Sequence, residues 1–214
     1  MGKKALTVAL LAAGLSMGSA ASAEMATPSM LANTCAGCHG TNGVSSGPST
    51  PSIAGMSKVY FINAMLAYKY GSDEDKIAAA AKTTKMDPDD IDALERPATI
   101  MTRIAKGYTD AEIAAMADFF SRKTFMLAKQ NADSGKASKG KSIHKEACEK
   151  CHEDGGRKGD GSGILAGQWM PYLNNAVMDF TEGHRDMPKK MRSKVKKLSD
   201  SDFEALVHFY GSQQ

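Results

Sequence analysis

Four cysteines, and the histidine that follows each pair of them, are the residues best suited to chemistry in this chain. All four cysteines of the 214-residue sequence lie in two copies of the pattern Cys-x-x-Cys-His, residues 35–39 (CAGCH) and 148–152 (CEKCH). This pattern attaches haem c, because the two thiols bond to vinyl groups on one porphyrin edge and the adjacent histidine binds the iron. We therefore predict two covalently bound haems c. The predicted attachment residues are Cys35, Cys38, Cys148 and Cys151, and the predicted proximal iron ligands are His39 and His152.

Paired cysteines have three other common roles. An exported chain with an even cysteine count can form disulfides, a Cys-x-x-Cys pair in a thioredoxin-like fold does redox chemistry, and Cys with His binds zinc. None of these roles explains why a histidine directly follows the second cysteine in both copies. Haem attachment explains it and is the interpretation adopted.

The chain repeats around the two motifs, which indicates two domains built alike. Residues 53–55 (IAG) and Tyr60 correspond to residues 165–167 (LAG) and Tyr172, at the same spacing. Each half closes with a helix pattern that ends in two aromatic residues, at positions 119–120 and 209–210. Because no convincing alternating strand pattern appears, we predict an all-α fold of two tandem domains, each with one covalently bound haem.

Methionine is the expected sixth iron ligand in each domain. Met101 lies nine residues before Asp110, and Met191 lies nine residues before Asp200, so the repeat selects both. Ligation by His and Met raises the potential of a haem, which suits an electron carrier. Most of the 14 methionines should be core residues, and Met187 is the alternative ligand because it shares a loop with Met191.

The first 23 residues have the layout of a cleaved export signal. Lys3 and Lys4 precede an apolar run, and small residues end at Ala23. The run is shorter than the roughly 20 residues that span a bilayer, so we predict a periplasmic mature chain from Glu24 without a membrane span. Its formal charge falls from +3 to +1, because both lysines leave with the signal. Such a balanced charge argues against nucleic acid as a partner.

The mature chain divides into a first domain at 24–130, a polar linker at 131–141 and a second domain at 142–214. The first domain carries an insertion at about 71–97, since Gly55 and Met101 are 46 positions apart but Gly167 and Met191 only 24. Acidic starts within it predict one or two short helices. The insertion is either a solvated addition or an altered docking surface for a redox partner.

Three local features predict how the sites are supported. Thr109 and Glu112 have the spacing of a capping box and should start a closing helix. Gly140 should permit a close helix crossing. The loop at Pro51 should accept a hydrogen bond from the His39 ring, whereas the second domain has Ser-Gly at positions 162–163 and should support His152 differently.

Several stretches resemble the dihaem cytochrome subunit of flavocytochrome c sulfide dehydrogenase. They are CAGCHGTNG (35–43), PSIA (51–54), IMTRIAKGY (100–108), ILAGQWMPY (164–172) and MPKKM (187–191). The resemblance implies two cytochrome c domains packed about a pseudo-twofold axis. It also implies the ligand pairs His39 with Met101 and His152 with Met191.

The same resemblance implies a partner. An FAD-carrying flavoprotein would oxidise sulfide, and its electrons would pass to the two haems and then to a soluble cytochrome c acceptor. The chain itself has no evident acid–base or nucleophile constellation, so we expect no catalytic site of its own. The alternative function is a free-standing dihaem shuttle between a membrane oxidoreductase and a terminal oxidase.

Overall fold

The computed structural model describes residues 26–92, 94–158 and 161–213, and every regular element in these ranges is helical. The predicted all-α fold is confirmed, while the predicted export signal at 1–23 lies outside the described residues. The first half contains α1 (Pro28–Asn33), α2 (Ala36–His39), α3 (Lys58–Tyr70), α4 (Glu74–Thr84), α5 (Met101–Ala105) and α6 (Asp110–Ser121). The second half contains α7 (Ser134–Ile143), α8 (Glu153–Gly156), α9 (Met170–Thr181), α10 (Lys189–Val195) and α11 (Asp200–Gly211). Shorter helical turns are the 3₁₀ turns Thr41–Gly43 and Pro88–Asp90 and a π-helical turn His144–Cys148.

The first domain packs around its closing helix α6. The buried stripe of this helix recurs at helical spacing and consists of Ile113, Met116, Ala117 and Phe120. Phe61 of α3 stacks on Phe120, with 5.5 Å between ring centroids. The predicted capping box is confirmed, because the Glu112 carboxylate accepts from Thr109 N–H at 2.8 Å and the Thr109 hydroxyl accepts from Glu112 N–H at 3.2 Å.

The insertion forms one helix and one 3₁₀ turn with acidic starts, as predicted. Asp73 caps α4 by accepting from the backbone N–H of Lys76 at 3.1 Å. The insertion is not merely solvated, because Ile77 of α4 is 1% exposed and Ala80 belongs to the first hydrophobic core. Asn63 of α3 ties down the 3₁₀ turn by donating to the carbonyl of Asp90 at 2.7 Å.

The second domain is built on a close crossing of α7 and α11. A Cβ atom placed at Gly140 would come within 2.0 Å of the carbonyl oxygen of Ala205, so the two helices touch backbone to backbone. The predicted role of Gly140 is confirmed. The domain core beside this crossing contains Leu173, Leu206, Val207, Phe209 and Tyr210.

The segment between the domains is shorter than the predicted linker at 131–141. Helix α7 begins at Ser134, because Asp133 accepts from Lys136 N–H at 2.8 Å and caps it. Residues 122–133 are the part without helix. Lys123 and Phe125 lie against Gly55 of the first domain, whereas Ala128 N–H donates to the Gly167 carbonyl of the second domain at 2.7 Å. Most of the predicted linker therefore belongs to a packed helix, and this boundary is corrected.

A buried polar contact joins the two domains. The side chain of Gln168 is fully buried; it donates to the Ser52 carbonyl at 3.0 Å and accepts from Ser52 N–H at 2.9 Å. Trp169 Nε1 donates to the carbonyl of Ser45 at 3.1 Å, and its ring lies where a Cβ at Gly47 would come within 2.5 Å. Because both groups of Ser52 are satisfied across the boundary, this contact fixes the orientation of one domain against the other.

Two candidate haem sites

Both Cys-x-x-Cys-His motifs form tight helical turns. His39 N–H donates to the Cys35 carbonyl at 2.9 Å, and His152 N–H donates to the Cys148 carbonyl at 3.0 Å. All four cysteines are free, so the disulfide alternative has no support. In each motif the first thiol is half-buried and the second is exposed. Burial raises the pKa of the Cys35 and Cys148 thiols.

The ring of His39 is held by the loop that the sequence predicted. Its Nδ1 lies 2.8 Å from the Pro51 carbonyl oxygen, and a carbonyl accepts only from the N–H form of that nitrogen. The Nε2 atom is then the one available to bind iron. Burial lowers the pKa of His39, which favours the neutral imidazole that metal binding requires.

The ring of His152 lacks this support. Its Nδ1 is buried without a hydrogen-bond partner among the described residues, and so is the hydroxyl of Ser162. Burial also lowers the pKa of His152. The predicted difference between the two histidines is confirmed. A buried nitrogen atom without a hydrogen-bond partner costs folding free energy, and the Pro51 carbonyl removes this cost only in the first domain.

The two candidate methionines occupy matching helices. Met101 is the first residue of α5 and Met191 lies in α10; both are half-buried, and both stand nine residues before the start of the closing helix. Met101 packs against the first core. Met187 differs, since it is 6% exposed and precedes α10.

Backbone hydrogen bonds around the two sites repeat almost atom for atom. The carbonyl of Gly43 accepts from residues 53 and 54 at 2.8 and 3.1 Å, and that of Gly156 accepts from residues 165 and 166 at 2.9 and 3.0 Å. Gly55 N–H donates to the carbonyl at position 120, and Gly167 N–H to that at position 210, both at 2.8 Å. The sequence repeat is therefore a repeat of the frame that surrounds each site.

An arginine from the insertion contacts both domains. Arg96 donates to the hydroxyl of Tyr60 at 3.1 Å and to that of Tyr172 at 3.5 Å, which are equivalent residues of the two domains. Its guanidinium also lies over the ring of Tyr68, 5.1 Å from the centroid. Among the residues that the structure describes, neither Arg96 nor Arg185 forms an ion pair with a carboxylate.

This cluster favours negative charge at the domain boundary. Burial alone would raise the pKa of Tyr60, but the charges and hydrogen bonds of Arg96 and Arg185 lower it to about 7. Burial raises the pKa of the neighbouring Tyr172. Haem brings propionate carboxylates of its own, so half-buried arginines without a carboxylate partner fit that group. The free cysteine pairs fit it as well, and so do the motif histidines, of which His39 is buried and His152 half-buried.

The second site also has a buried polar network that the first lacks. His144 is 2% exposed, its Nδ1 lies 2.9 Å from the Tyr210 hydroxyl, and its Nε2 contacts the Glu149 carboxylate. The matching residues of the first domain, counted from the first cysteine and the closing helix, are Leu31 and Phe120. No sequence pattern links His144 to Tyr210, although a histidine four residues before Cys148 is visible in the sequence.

Two family models match the chain, one for each half. Residues 28–122 match the model described as Cytochrome c, and residues 135–209 match Cytochrome C oxidase, cbb3-type, subunit III. Cytochrome c4 of Azotobacter vinelandii is 27% identical over 220 residues, which cover 96% of this chain and 97% of that protein. The crystal structure of reduced recombinant cytochrome c4 from Pseudomonas stutzeri has a TM-score of 0.71 at 25% identity and covers 87% of this chain and 97% of its own.

A shorter match is more similar in sequence. The cytochrome subunit of sulfide dehydrogenase of Chlorobaculum tepidum is 36% identical over 102 residues, which cover 48% of this chain and 67% of that protein. The fold, the paired motifs and these matches together define the class. The chain belongs to the cytochrome c family, and as a dihaem member it carries two covalently bound haems c, one per domain. Within the described ranges, none of the helices has the length and hydropathy that a membrane span needs.

Proposed function

We propose that this protein is a free-standing dihaem electron shuttle that works between a membrane oxidoreductase and a terminal oxidase. Electron transfer itself follows from the family and from the two haems. The likeness that spans the whole chain is to cytochrome c4, a name that includes no partner enzyme, whereas the sulfide dehydrogenase likeness spans about half of it. The haem iron supplies the one-electron chemistry when bound, and the chain orients and buries it.

One observation supports the proposal most strongly: both sites are fixed in a single body. Gln168 bonds Ser52 across the domain boundary, and the Arg96 guanidinium bonds tyrosines of both domains. Two electron carriers that are held at a constant orientation form a relay within one chain. A relay of this kind needs no permanent second subunit.

The axial ligands belong to the same proposal. His39 with Met101 would bind the first iron, and His152 with Met191 would bind the second. The register of the two methionine helices supports this assignment, as does the hydrogen bond that orients His39. Export to the periplasm, with cleavage near Ala23, is also proposed, as are a first domain close to 24–130 and a second domain that runs from the start of α7 to residue 214.

A second candidate is supported by one specific observation. The 36% identity with the cytochrome subunit of sulfide dehydrogenase favours an FAD-containing flavoprotein as a stable partner that hands electrons to this chain. A soluble cytochrome c is the electron acceptor in this candidate, whereas the shuttle delivers its electrons to a terminal oxidase. The two candidates therefore differ in whether a flavoprotein copurifies.

Purification of the protein from the periplasm under gentle conditions decides between the candidates. The shuttle predicts a monomer with two haems by mass and no flavin spectrum, which accepts electrons from quinol-oxidising membranes and passes them to a terminal oxidase. A one-to-one complex with a yellow FAD protein that reduces the haems with sulfide would establish the second candidate instead.

A further inference from the structure

The two methionine helices present opposite chemistry to solvent. When Met101 and Met191 are placed in register, Ile100 corresponds to Lys190 and Ile104 corresponds to Lys194. Ile100 is 64% exposed and Ile104 is 38% exposed. The same two positions around the candidate ligand are therefore apolar in the first domain and cationic in the second.

The cationic side extends well beyond these two lysines. We call it the α10 surface, and its exposed members are Lys189, Lys190, Arg192, Lys194, Lys196 and Lys197. Positions 187–198 contain no acidic residue. Of the six, only Arg192 has an ion-pair partner among the described residues, namely Asp186 at 3.5 Å. The other five positive charges thus lie together without an ion-pair partner among the described residues.

We propose that the α10 surface is the docking site for an acidic electron-transfer protein, which exchanges electrons with the second haem alone. The inference rests on the proposed function, because it takes Met191 as the ligand on this side of the iron. Uncompensated like charges focus the field around one haem and raise the association rate of an anionic partner. The first domain has Ile100 and Ile104 at the matching positions, and the only exposed cations of this segment are Arg103 and Lys106. Its positive charge around the candidate ligand is therefore smaller than that of the α10 surface.

Three features favour a protein over an anionic membrane. A helix that binds in a bilayer surface needs large apolar side chains to insert, and the exposed large apolar residues of the described chain all lie outside α10. The apolar residues of α10, Met191 and Val195, are half-buried. The α10 helix also has only seven residues, which is short for an interfacial anchor.

The test uses the reduced holoprotein and two inorganic oxidants of opposite charge. Ferricyanide accepts one electron from the protein and becomes ferrocyanide, and tris(phenanthroline)cobalt(III) accepts one electron and becomes the cobalt(II) complex. The double variant Lys190→Gln/Lys194→Gln neutralises the α10 surface. The matched control, Lys82→Gln/Lys129→Gln, removes two exposed lysines elsewhere.

Stopped-flow oxidation by ferricyanide should slow about tenfold when salt rises from low to high ionic strength, since a focused field speeds association by roughly 10 to 10³. The α10 variant should lose most of this salt dependence, and the control should keep it. Oxidation of the wild type by the cationic cobalt complex should instead become faster as the ionic strength rises. The variant Ile100→Lys/Ile104→Lys should gain salt dependence at the first haem. Equal behaviour of the α10 variant and the control would overturn the proposal.

A macromolecular probe identifies the class of partner. Poly-L-glutamate should inhibit the ferricyanide reaction of the wild type and of the control, but not that of the α10 variant. Cosedimentation with phosphatidylserine vesicles that depends on Lys190 and Lys194 would overturn the protein partner in favour of a membrane. Self-association at low salt that these lysines control would assign the surface to a second copy. Haem content and the methionine–iron absorption band, measured on every variant, report separately whether the proposed function itself fails.

Discussion

The two haem sites share a backbone frame but differ in the side chains that support it. In both domains one glycine carbonyl accepts two loop N–H groups, and a second glycine bonds the end of the closing helix. Around that frame the first site is largely apolar and orients its histidine through Pro51, whereas the second buries His144 and leaves His152 Nδ1 unpaired. The backbone frame that would place a haem is thus the same in both domains, whereas the side chains that would adjust the properties of the haem differ.

This difference suggests a division of labour within one chain. The His39 ring is oriented by a neutral carbonyl, and its loop is tied to the other domain through Ser52. The second site has a titratable network and an exposed cationic helix. Because axial ligation, hydrogen bonding and burial each set the potential of a haem, we expect the two haems to differ in potential. Unlike potentials give electron flow through the chain a direction.

The largest expected effect comes from removing one methionine at a time. Met191→Leu should abolish the methionine–iron absorption band of the second haem and lower its potential by on the order of 0.1 V, because thioether ligation stabilises ferrous iron. Potentiometry with visible spectroscopy measures both. Met187→Leu is the matched control and should preserve the band. If Met187→Leu removes it and Met191→Leu does not, the ligand is Met187.

The next effect tests the contact that holds the two sites together. Gln168→Leu should lower the free energy of unfolding by roughly 2–4 kcal/mol, because it leaves the buried N–H and C=O of Ser52 unpaired at about 1–3 kcal/mol each. Thermal or denaturant unfolding of the holoprotein measures it. Asn131→Leu, an exposed amide in the connecting segment, is the control and should change stability little. Equal stability of the two variants would show that the domains do not depend on this contact.

A glycine substitution separates the stability of the two domains. Gly140→Ala should destabilise the second domain by about 1–3 kcal/mol, because the added methyl would meet the Ala205 carbonyl and force α7 from α11. Gly135→Ala in the same helix is the control, since its Cβ would approach no closer than 3.3 Å to another atom. Limited proteolysis should cut the second domain first in the Gly140 variant. If the first domain were cleaved as early as the second, the two hydrophobic cores would not be independent in stability.

The smallest effect converts the second site towards the first. Tyr210→Phe should cost about 1–2 kcal/mol, because it leaves the buried His144 without its hydroxyl partner. The double variant His144→Leu/Tyr210→Phe copies Leu31 and Phe120 and should recover much of that loss, since the buried imidazole is gone and the Glu149 carboxylate that it contacted is 44% exposed to water. A double-mutant cycle on unfolding free energies measures the coupling. Additive losses would show that the network does not act as a unit.

Local sequence patterns predicted the parts of the fold that depend on near neighbours. The motif turns, the capping box at Thr109 and the acidic start of α4 each follow from residues within one helix or one turn. The close crossing at Gly140 joins two helices, but a glycine inside a helix is a local sign that another backbone can approach it. The hydrogen bond between His39 and the Pro51 carbonyl could also be predicted, since the two residues flank one loop. The repeat shows that the second domain has no proline at the matching position. These features need no knowledge of how the two domains meet.

Contacts between distant parts of the chain were not predictable in the same way. Gln168 and Ser52 are 116 positions apart, and Arg96 and Tyr172 are 76 apart, so no periodicity links them. The linker boundary was wrong because small polar residues of α7 suggested a loop, although Asp133 caps a helix there and α11 packs on it. Burial against a distant helix overrode weak local propensity.

A redox titration of the mature holoprotein tests the central claim most directly. The account predicts an intact mass with two added haems, and two one-electron transitions at separate potentials, each with a methionine–iron band in the oxidised state. The double variant Cys148→Ala/Cys151→Ala should retain only one transition, that of the first haem. A product with fewer than two haems, or two haems that titrate identically and lack the methionine band, would contradict it.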